Sequence, residues 1–307
     1  MLEDRHYIGW GAGLDPMDIR HKSPIILRRH LRTTLRALRE ERGLSQRTVA
    51  TALSWKPVSK LLHIESGTSD VSIMDLCVLL HYYGVEETSR VEELIECATY
   101  ARRQLYAEYE DVHRPEFRTY LQYEGAASVI RSFEPSVVPG LLQTEEYAEC
   151  ILRVLPRLSH DSTALRRQIH ARMERQRVLD RQDGFTAIFI LDEAVLHHQV
   201  GGAAGLTRQL VKLREISTRD NIHIRLIPYE QGSHLGLWGT FVLLEFAAPA
   251  DDDLVFLEHQ AGDVIIAEST QVAPHIERFW SLEACSMSEE DTRTSIDKAI
   301  VRYSGLL

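Results

Sequence analysis

Between residues 25 and 84 the chain carries Gly43, Gly67 and Gly84, each closing a run of apolar residues spaced three and four apart. A glycine just past such a run ends a helix readily, because it adopts the left-handed conformation that satisfies the last carbonyls. The pattern leaves room for short helices and little room for strands. Leu27, Leu31, Leu35 and Leu38 make one face of a first helix, and Arg28, Arg29, Arg32, Arg36 and Arg39 make the other. Ser45 is placed to cap a second helix over 46–53, with Val49, Ala50 and Leu53 inward. A break at Ser54, Trp55, Lys56 and Pro57 follows. Pro57 is expected in the first turn of a third helix over 58–65, where its missing N–H costs no hydrogen bond. Ser72 and Asp75 have capping-box spacing for a fourth helix, whose inner face is Ile73, Leu76, Leu79 and Leu80. A fifth is expected from about residue 89 to at least 103, extending toward 110.

Charge separates this region from the rest. The whole chain of 307 residues has a formal net charge of −10, which by itself argues against a nucleic-acid partner. From Arg20 to His63, however, eleven Lys/Arg face two acids, a net of +9, while residues 64–307 sum to −16. A basic block on an acidic body is the footprint of a nucleic-acid module joined to something else.

After Pro115 the pattern changes. Runs at 185–191, 223–228, 240–246 and 254–258 are apolar, rich in Ile, Val, Leu or Phe, and bounded by Gly, Asp or Pro, as strands are. Helical periodicity occupies 145–155, 163–181, 204–219 and 272–283. The expected fold class is therefore an all-α N-terminal helix-turn-helix domain plus an α+β C-terminal domain. The expected division is a flexible N-terminal arm (1–22), a DNA-binding domain (23–86), a helical connector (87–114) and a sensor or partner-binding and dimerisation domain (115–307).

Other classes find little support. Cys77, Cys97, Cys150 and Cys285 are far apart and form no CxxC pair; they read as reduced thiols. Metal sites need closer ligand spacing than the histidines offer. No metal or cofactor is expected. The first residues lack an apolar signal core and no run approaches 18 apolar residues, so the expectation is a cytoplasmic protein with no membrane association. No nucleophile elbow, phosphate loop or Cys/His constellation appears. Glu245, Glu258, Asp263 and Glu268 are carboxylates near strand ends that nothing in the sequence pairs. No catalytic residue is assigned, and the chain is expected not to be an enzyme.

A helix-turn-helix reads DNA by laying its second helix in the major groove while the first braces it. Ala50 supplies the small residue of the brace, 54–57 the turn, and Leu61, Leu62 and Ile64 the underside of the reader. That leaves Lys56, Ser59, Lys60 and His63 outward as candidates for base edges or phosphates. Ser45, Gln46 and, more weakly, Thr48 are placed for phosphate or an adjacent base. Trp55 inserts toward DNA or, alternatively, lids the core. The arginine face of the first helix is solvated or adds backbone contacts.

The run Leu44-Ser45-Gln46, Val49-Ala50, Leu53 and Ile64-Glu65-Ser66-Gly67 resembles the Xre-type, lambda-repressor-like helix-turn-helix family. Residues 71–76 and His81-Tyr82-Tyr83-Gly84-Val85 are similar to a large actinobacterial branch of it. The later part resembles the same branch through Phe133-Glu134-Pro135, residues 138–148, Arg172-Met173-Glu174-Arg175-Gln176 and Leu191-Asp192-Glu193-Ala194. Gly201-Gly202, Ile227-Pro228, Gly236-Leu237, Phe241 and Leu244-Glu245-Phe246 extend the match. The resemblance implies a WhiJ-like, antitoxin-like regulator, often paired with a small partner protein of the BldB-like kind. Its expected partners are double-stranded DNA, a second copy of itself, and such a protein or a small-molecule effector. Two departures concern the reader: 54–60 is one residue longer than the branch shows, with Val58 as the extra one, and His63 stands where Arg is common.

In the second domain, residues 139–144 read as a turn feeding a helix that Thr144 caps, serving packing or a binding site. The arginine-dense helix over 163–181 presents a solvated face or a site for an acidic partner. Residues 231–239 read as a mobile hairpin loop or a pocket rim. Arg172, Arg175, His234 and Trp238 are the candidate ligand- or partner-binding residues.

Overall fold

The computed structural model describes residues 23–102, 109–154, 162–247, 252–259 and 262–306. The expected arm at 1–22 and the connector segment 103–108 lie outside them. The chain divides into two compact units, residues 1–105 and 106–307.

The described part of the first unit is helical: α1 (Pro24–Glu41), α2 (Gln46–Ala52), α3 (Lys60–Ser66), α4 (Ile73–Tyr82) and α5 (Thr88–Ala101). The punctuation lies where the sequence puts it. Gly43, Gly67 and Gly84 all have φ between 64° and 78°. Ser45 Oγ accepts from Thr48 N at 3.0 Å, and Ser72 Oγ from Asp75 N at 3.0 Å. The core gathers Leu27, Leu31, Leu35, Val49, Leu61, Ile64, Leu76 and Leu79. The helix expected to serve as a connector packs into it: Leu94, Cys97, Ala98 and Ala101 of α5 are core residues.

Two details differ from the sequence reading. The third helix begins at Lys60 rather than Val58, and Pro57 lies in the preceding turn. Leu62, expected on the underside, is 48% exposed, whereas Leu61 and Ile64 are buried. Helical rotation is the reason: Leu61, Ile64 and Glu65 share one buried face, and Leu62, about 100° round from Leu61, falls outside it.

A buried ion pair ties three of these helices together. Arg39 of α1 donates Nε to Glu65 Oε1 (2.7 Å) and Nη2 to Glu65 Oε2 (2.9 Å). Its Nη1 donates to Leu44 O (2.7 Å), and Gln46 Nε2 of α2 donates to Glu65 Oε2 (2.7 Å). Glu65, on α3, thus collects donors from both neighbours.

The second unit is built on one six-stranded sheet of order β3-β2-β1-β4-β5-β6. Its strands are β1 (Val129–Glu134), β2 (Thr186–Asp192), β3 (Ile222–Ile227), β4 (Phe241–Glu245), β5 (Leu254–Leu257) and β6 (Val264–Ile266). β1, β2 and β3 are mutually parallel, and β4, β5 and β6 add antiparallel pairings. The helices are α6 (Pro115–Ala126), α7 (Glu145–Arg153), α8 (Ser162–Arg175), α9 (Gly202–Ile216), α10 (Ser269–Cys285) and α11 (Glu289–Ser304). The central strand β1 escaped the sequence reading because Arg131 and Ser132 interrupt its apolar run. Here Arg131 is neutralised by Glu245 on β4 and Ser132 is buried. Residues 231–239 are not a hairpin loop. They join β3 to β4, which are not neighbours, through two short 3-10 turns.

Gly236 sits in that connection where nothing larger fits. A Cβ there would lie 2.2 Å from Phe133 Cζ and 2.7 Å from His234 Nδ1. Gly236→Ala is expected to cost the second unit about 1–3 kcal/mol through overpacking. Phe133→Leu in the same chain should recover part of that loss, as urea denaturation of the single and double variants would reveal. In the first unit, Arg39→Ala leaves Glu65 buried and uncompensated, and a loss of about 3–5 kcal/mol is expected. Hydrogen exchange should show it as lost protection across α1–α3 while the sheet amides of the second unit keep theirs.

Candidate nucleic-acid interface

α2, the turn 53–59 and α3 form the helix-turn-helix. Ala50 is fully buried, which lets the two helices approach. Ser54 takes a left-handed φ of 53°, the turn hydrogen-bonds back through Trp55 N to Ala50 O (2.9 Å), and half-buried Trp55 packs on the core as a lid.

The expected contact residues separate into two groups. Ser45, Thr48, Lys56 and His63 are exposed. Ser45 and Thr48 already share a hydroxyl contact of 2.7 Å, and His63 Nδ1 lies 3.0 Å from Thr68 Oγ1. Gln46, Ser59 and Lys60 are only half-exposed. Gln46 spends its amide N–H on Glu65. Lys60 Nζ donates to Asp75 Oδ1 at 2.6 Å and lies 4.4 Å above the Trp55 ring. Burial pushes the Asp75 carboxyl up, but hydrogen bonds from Lys60 and Ser72 outweigh it and hold it below its ordinary value. Lys60 therefore starts α3 as a braced residue with reduced freedom to reach a base.

Arg47 is a residue the sequence reading passed over. It is exposed on α2 between Gln46 and Thr48 and, like Lys56, has no ion-pair partner among the described residues. A cation in the first turn of the bracing helix, beside Gln46 and Thr48, is the signal that could have found it, since Arg is a common phosphate partner. Leu62, outward on α3, adds an apolar group beside His63. The arginine face of α1 is largely committed: Arg29 and Arg39 are buried, Arg28 donates to Ala101 O (2.7 Å), and Arg36 pairs with Glu40.

In the second unit, residues 138–144 form a hub in which buried backbone groups find side-chain partners, as burial demands. Gln143 Nε2 donates to Val138 O, Gln176 Nε2 to Gly140 O and Gln143 O, and Gln209 Nε2 to Leu142 O. Thr144 Oγ1 caps α7 through Tyr147 N, as expected. Arg175 is a structural residue: it meets Glu124 with Nε at 2.6 Å and Nη2 at 2.5 Å. Arg172 donates Nη1 to Gln143 Oε1 at 2.9 Å. His234 is buried edge-on to Phe133, accepts from Gly236 N, and lies 3.4 Å from Asp192, which leaves its ring nitrogens engaged. Trp238, by contrast, is 84% exposed beside an open groove lined with Leu237, Ser281 and Cys285.

Among the described residues no helix is long and apolar enough to cross a membrane. Residues 30–94 match a helix-turn-helix domain family, so the N-terminal unit is a DNA-binding type of module. No curated protein and no solved structure matches the chain. Residues 117–298 match the family described as a domain of unknown function (DUF5753), and since that match spans more than half of the sequence, the chain belongs to this family.

Proposed function

We propose that the protein is a sequence-specific, homodimeric transcriptional regulator of the Xre type, in the WhiJ-like branch, whose second unit receives a small-molecule or protein signal. The observation that carries the reading is that Ser45, Arg47, Thr48, Lys56 and His63 are all exposed on a helix-turn-helix whose reader helix is held by Glu65. Exposed hydroxyls and cations suit phosphates, and His63 with Leu62 offers contacts to base edges. A two-fold dimer would engage half-sites roughly 34 Å apart, or a multiple of that. For a signal to alter DNA affinity it must bind two conformations differently.

A second reading has one observation in its favour. Leu237, Trp238 and Trp280 are large apolar side chains left exposed on the second unit, which suits an antitoxin-like protein that chiefly holds a small partner protein. A pull-down that retains such a partner in equal amount, with DNA affinity weak in its absence, would favour this alternative.

The test is a fluorescence-anisotropy titration of the full chain on DNA from upstream of its own gene, with competitor DNA, at several salt concentrations. Site-selective binding that weakens steeply with salt is expected. Arg47→Ala and Lys56→Ala should each weaken binding to all sequences alike and lower the log–log salt slope by about 1. His63→Ala should alter the preference among operator variants instead. Lys60→Ala should have a smaller effect than Lys56→Ala, because Asp75 already holds its charge. Binding that ignores sequence and all four substitutions would remove the regulator reading.

A further inference from the structure

The connection from β3 to β4 turns Leu235, Leu237 and Trp238 outward. Leu235 is 44% exposed, Leu237 68% and Trp238 84%. All three lie on the 3-10 turn Leu235–Trp238 and line a groove of about 420 Å³, whose other wall includes Ser281 and Cys285 of α10. Ser281 and Cys285 are four residues apart and share a face of that helix. Trp280 is set apart. It stands about 100° round the helix from Ser281 and about 140° from Cys285, on the flank away from the groove.

The turn that carries these side chains is fixed. Leu237 N donates to His234 O (3.2 Å), Gly239 N to Gly236 O (3.0 Å) and Gly236 N to His234 Nδ1 (3.2 Å). Arg278 of α10 donates Nε to Leu235 O (3.0 Å) and Nη2 to Gly239 O (2.6 Å), which grips the turn at both ends. Gly236 between them lies tight against Phe133. The backbone under Trp238 is therefore ordered before any partner arrives, and that lowers the entropy cost of association.

The chemistry of the groove selects the class of partner. Its described lining carries no Asp, Glu, Lys or Arg. The less exposed polar groups are engaged: His234 with Gly236 N and Asp192, and the Cys285 thiol with Leu282 O. Small-molecule sites orient their ligands with a few convergent polar groups. Here only the exposed Gln231, Ser233 and Ser281 remain for that task. An apolar centre with a neutral polar surround is the anatomy of a protein interface, and tryptophan is among the residues enriched at its energetic centre.

Charge and shape then favour a second copy of this chain. The chain beyond residue 63 sums to −16, so two copies repel wherever they are charged and can meet where they are not. A two-fold axis brings one patch against itself, so the patch must hold both a projection and a recess. Trp238 is the projection and the groove beside it is the recess. Clefts of about 300–1,000 Å³ hold drug-sized ligands, and an indole is smaller than those. At their exposures Leu235, Leu237 and Trp238 offer on the order of 400 Å² of apolar surface, about half of what one partner buries in a standard interface.

We propose that this groove is the dimer interface of the second unit, each copy inserting Trp238 between the 235–238 turn and α10 of the other. The proposal rests on the reading of the protein as a homodimer, and it names the surface that makes it one.

The test is analytical ultracentrifugation of the full chain without DNA, over a range of concentrations at low and high salt. A monomer–dimer equilibrium is expected, tighter at high salt because screening removes repulsion between acidic copies. Trp238→Ala should weaken dimerisation at least about thirtyfold. Ser281→Arg, which puts a charge in the recess, should do the same, while Trp280→Ala should leave the equilibrium unchanged. Alkylation of Cys285, followed by mass spectrometry, should slow as the protein is concentrated and lose that dependence in Trp238→Ala. Should Trp238→Ala fail to fold, Leu237→Ser carries the test with the same expected direction. A wild-type chain that stays monomeric at every concentration would sink the homodimer reading and the interface with it. A wild-type dimer that survives both Trp238→Ala and Ser281→Arg would sink the interface alone and keep the reading. A dimer that loosens with salt, or a monomer that needs Trp238 only to retain a small partner protein, would also overturn the proposal.

Discussion

The recognition module depends on Glu65, whose carboxylate is shared between a guanidinium from α1 and an amide from α2. Replacing such a pair by well-packed apolar side chains often leaves stability unchanged or improved, so its worth is geometric rather than energetic. The planar fork of Arg39 accepts one orientation of the carboxylate, and its remaining Nη1 is fixed on Leu44 O, at the joint between α1 and α2. Rotation of α3 about its axis would break two charge-assisted hydrogen bonds at once. Because α3 is only seven residues long, apolar contacts from Leu61 and Ile64 alone would leave that rotation loosely defined. The ion pair sets which side of the helix meets solvent, and through Gln46 it sets the angle of the bracing helix as well.

That constraint explains which parts of the site could be read from sequence. Helix ends were legible because glycine and capping hydroxyls act locally, and Ser45, Ser72 and Thr144 cap as their neighbours require. The start of α3 was not legible. Pro57 is compatible with a first turn, and nothing local distinguishes that from a proline held in the turn before it. The rotation of α3 was not legible either: Leu62 lies off the face that Leu61, Ile64 and Glu65 share, and so meets solvent. The pairing of Gln46 with Glu65 and of Lys60 with Asp75 is long-range information. A sequence can mark these groups as polar and near the reader; it cannot show that each is already occupied by a partner fifteen or more positions away.

The second unit repeats the lesson with the opposite outcome for each residue. Arg172 and Arg175 look alike in sequence, one helical turn apart on an arginine-rich helix. Glu124 comes from α6, which the sequence reading missed, and it converts Arg175 into a structural residue while leaving Arg172 with an amide. The hub at 138–144 likewise resolves the choice between packing and binding in a mixed way. Four of its carbonyls accept from Gln143, Gln176 and Gln209, so it packs, and through Gln143 it also holds Arg172. β1 was hidden for a like reason: Arg131 finds its carboxylate, Glu245, more than a hundred residues further on, and Ser132 is buried by the fold.

The formal charge of +9 over residues 20–63 overstates what DNA would meet. Four of its eleven cations are engaged by carboxylates: Arg39 by Glu65, Arg36 by Glu40, Lys60 by Asp75 and Arg28 by Asp70. Arg42, Arg47 and Lys56 remain exposed without an ion-pair partner among the described residues. Phosphate neutralisation dominates affinity for DNA and scales with the number of cations placed on the backbone. A single module with so few available cations among its described residues, on a chain carrying a net −10, has a small electrostatic term to draw on. The proposed two-fold dimer would double that number on two half-sites without adding cations to either module. On that proposal, selection among sites would fall to the groups around His63 and Leu62, on a helix whose orientation traces back to Glu65.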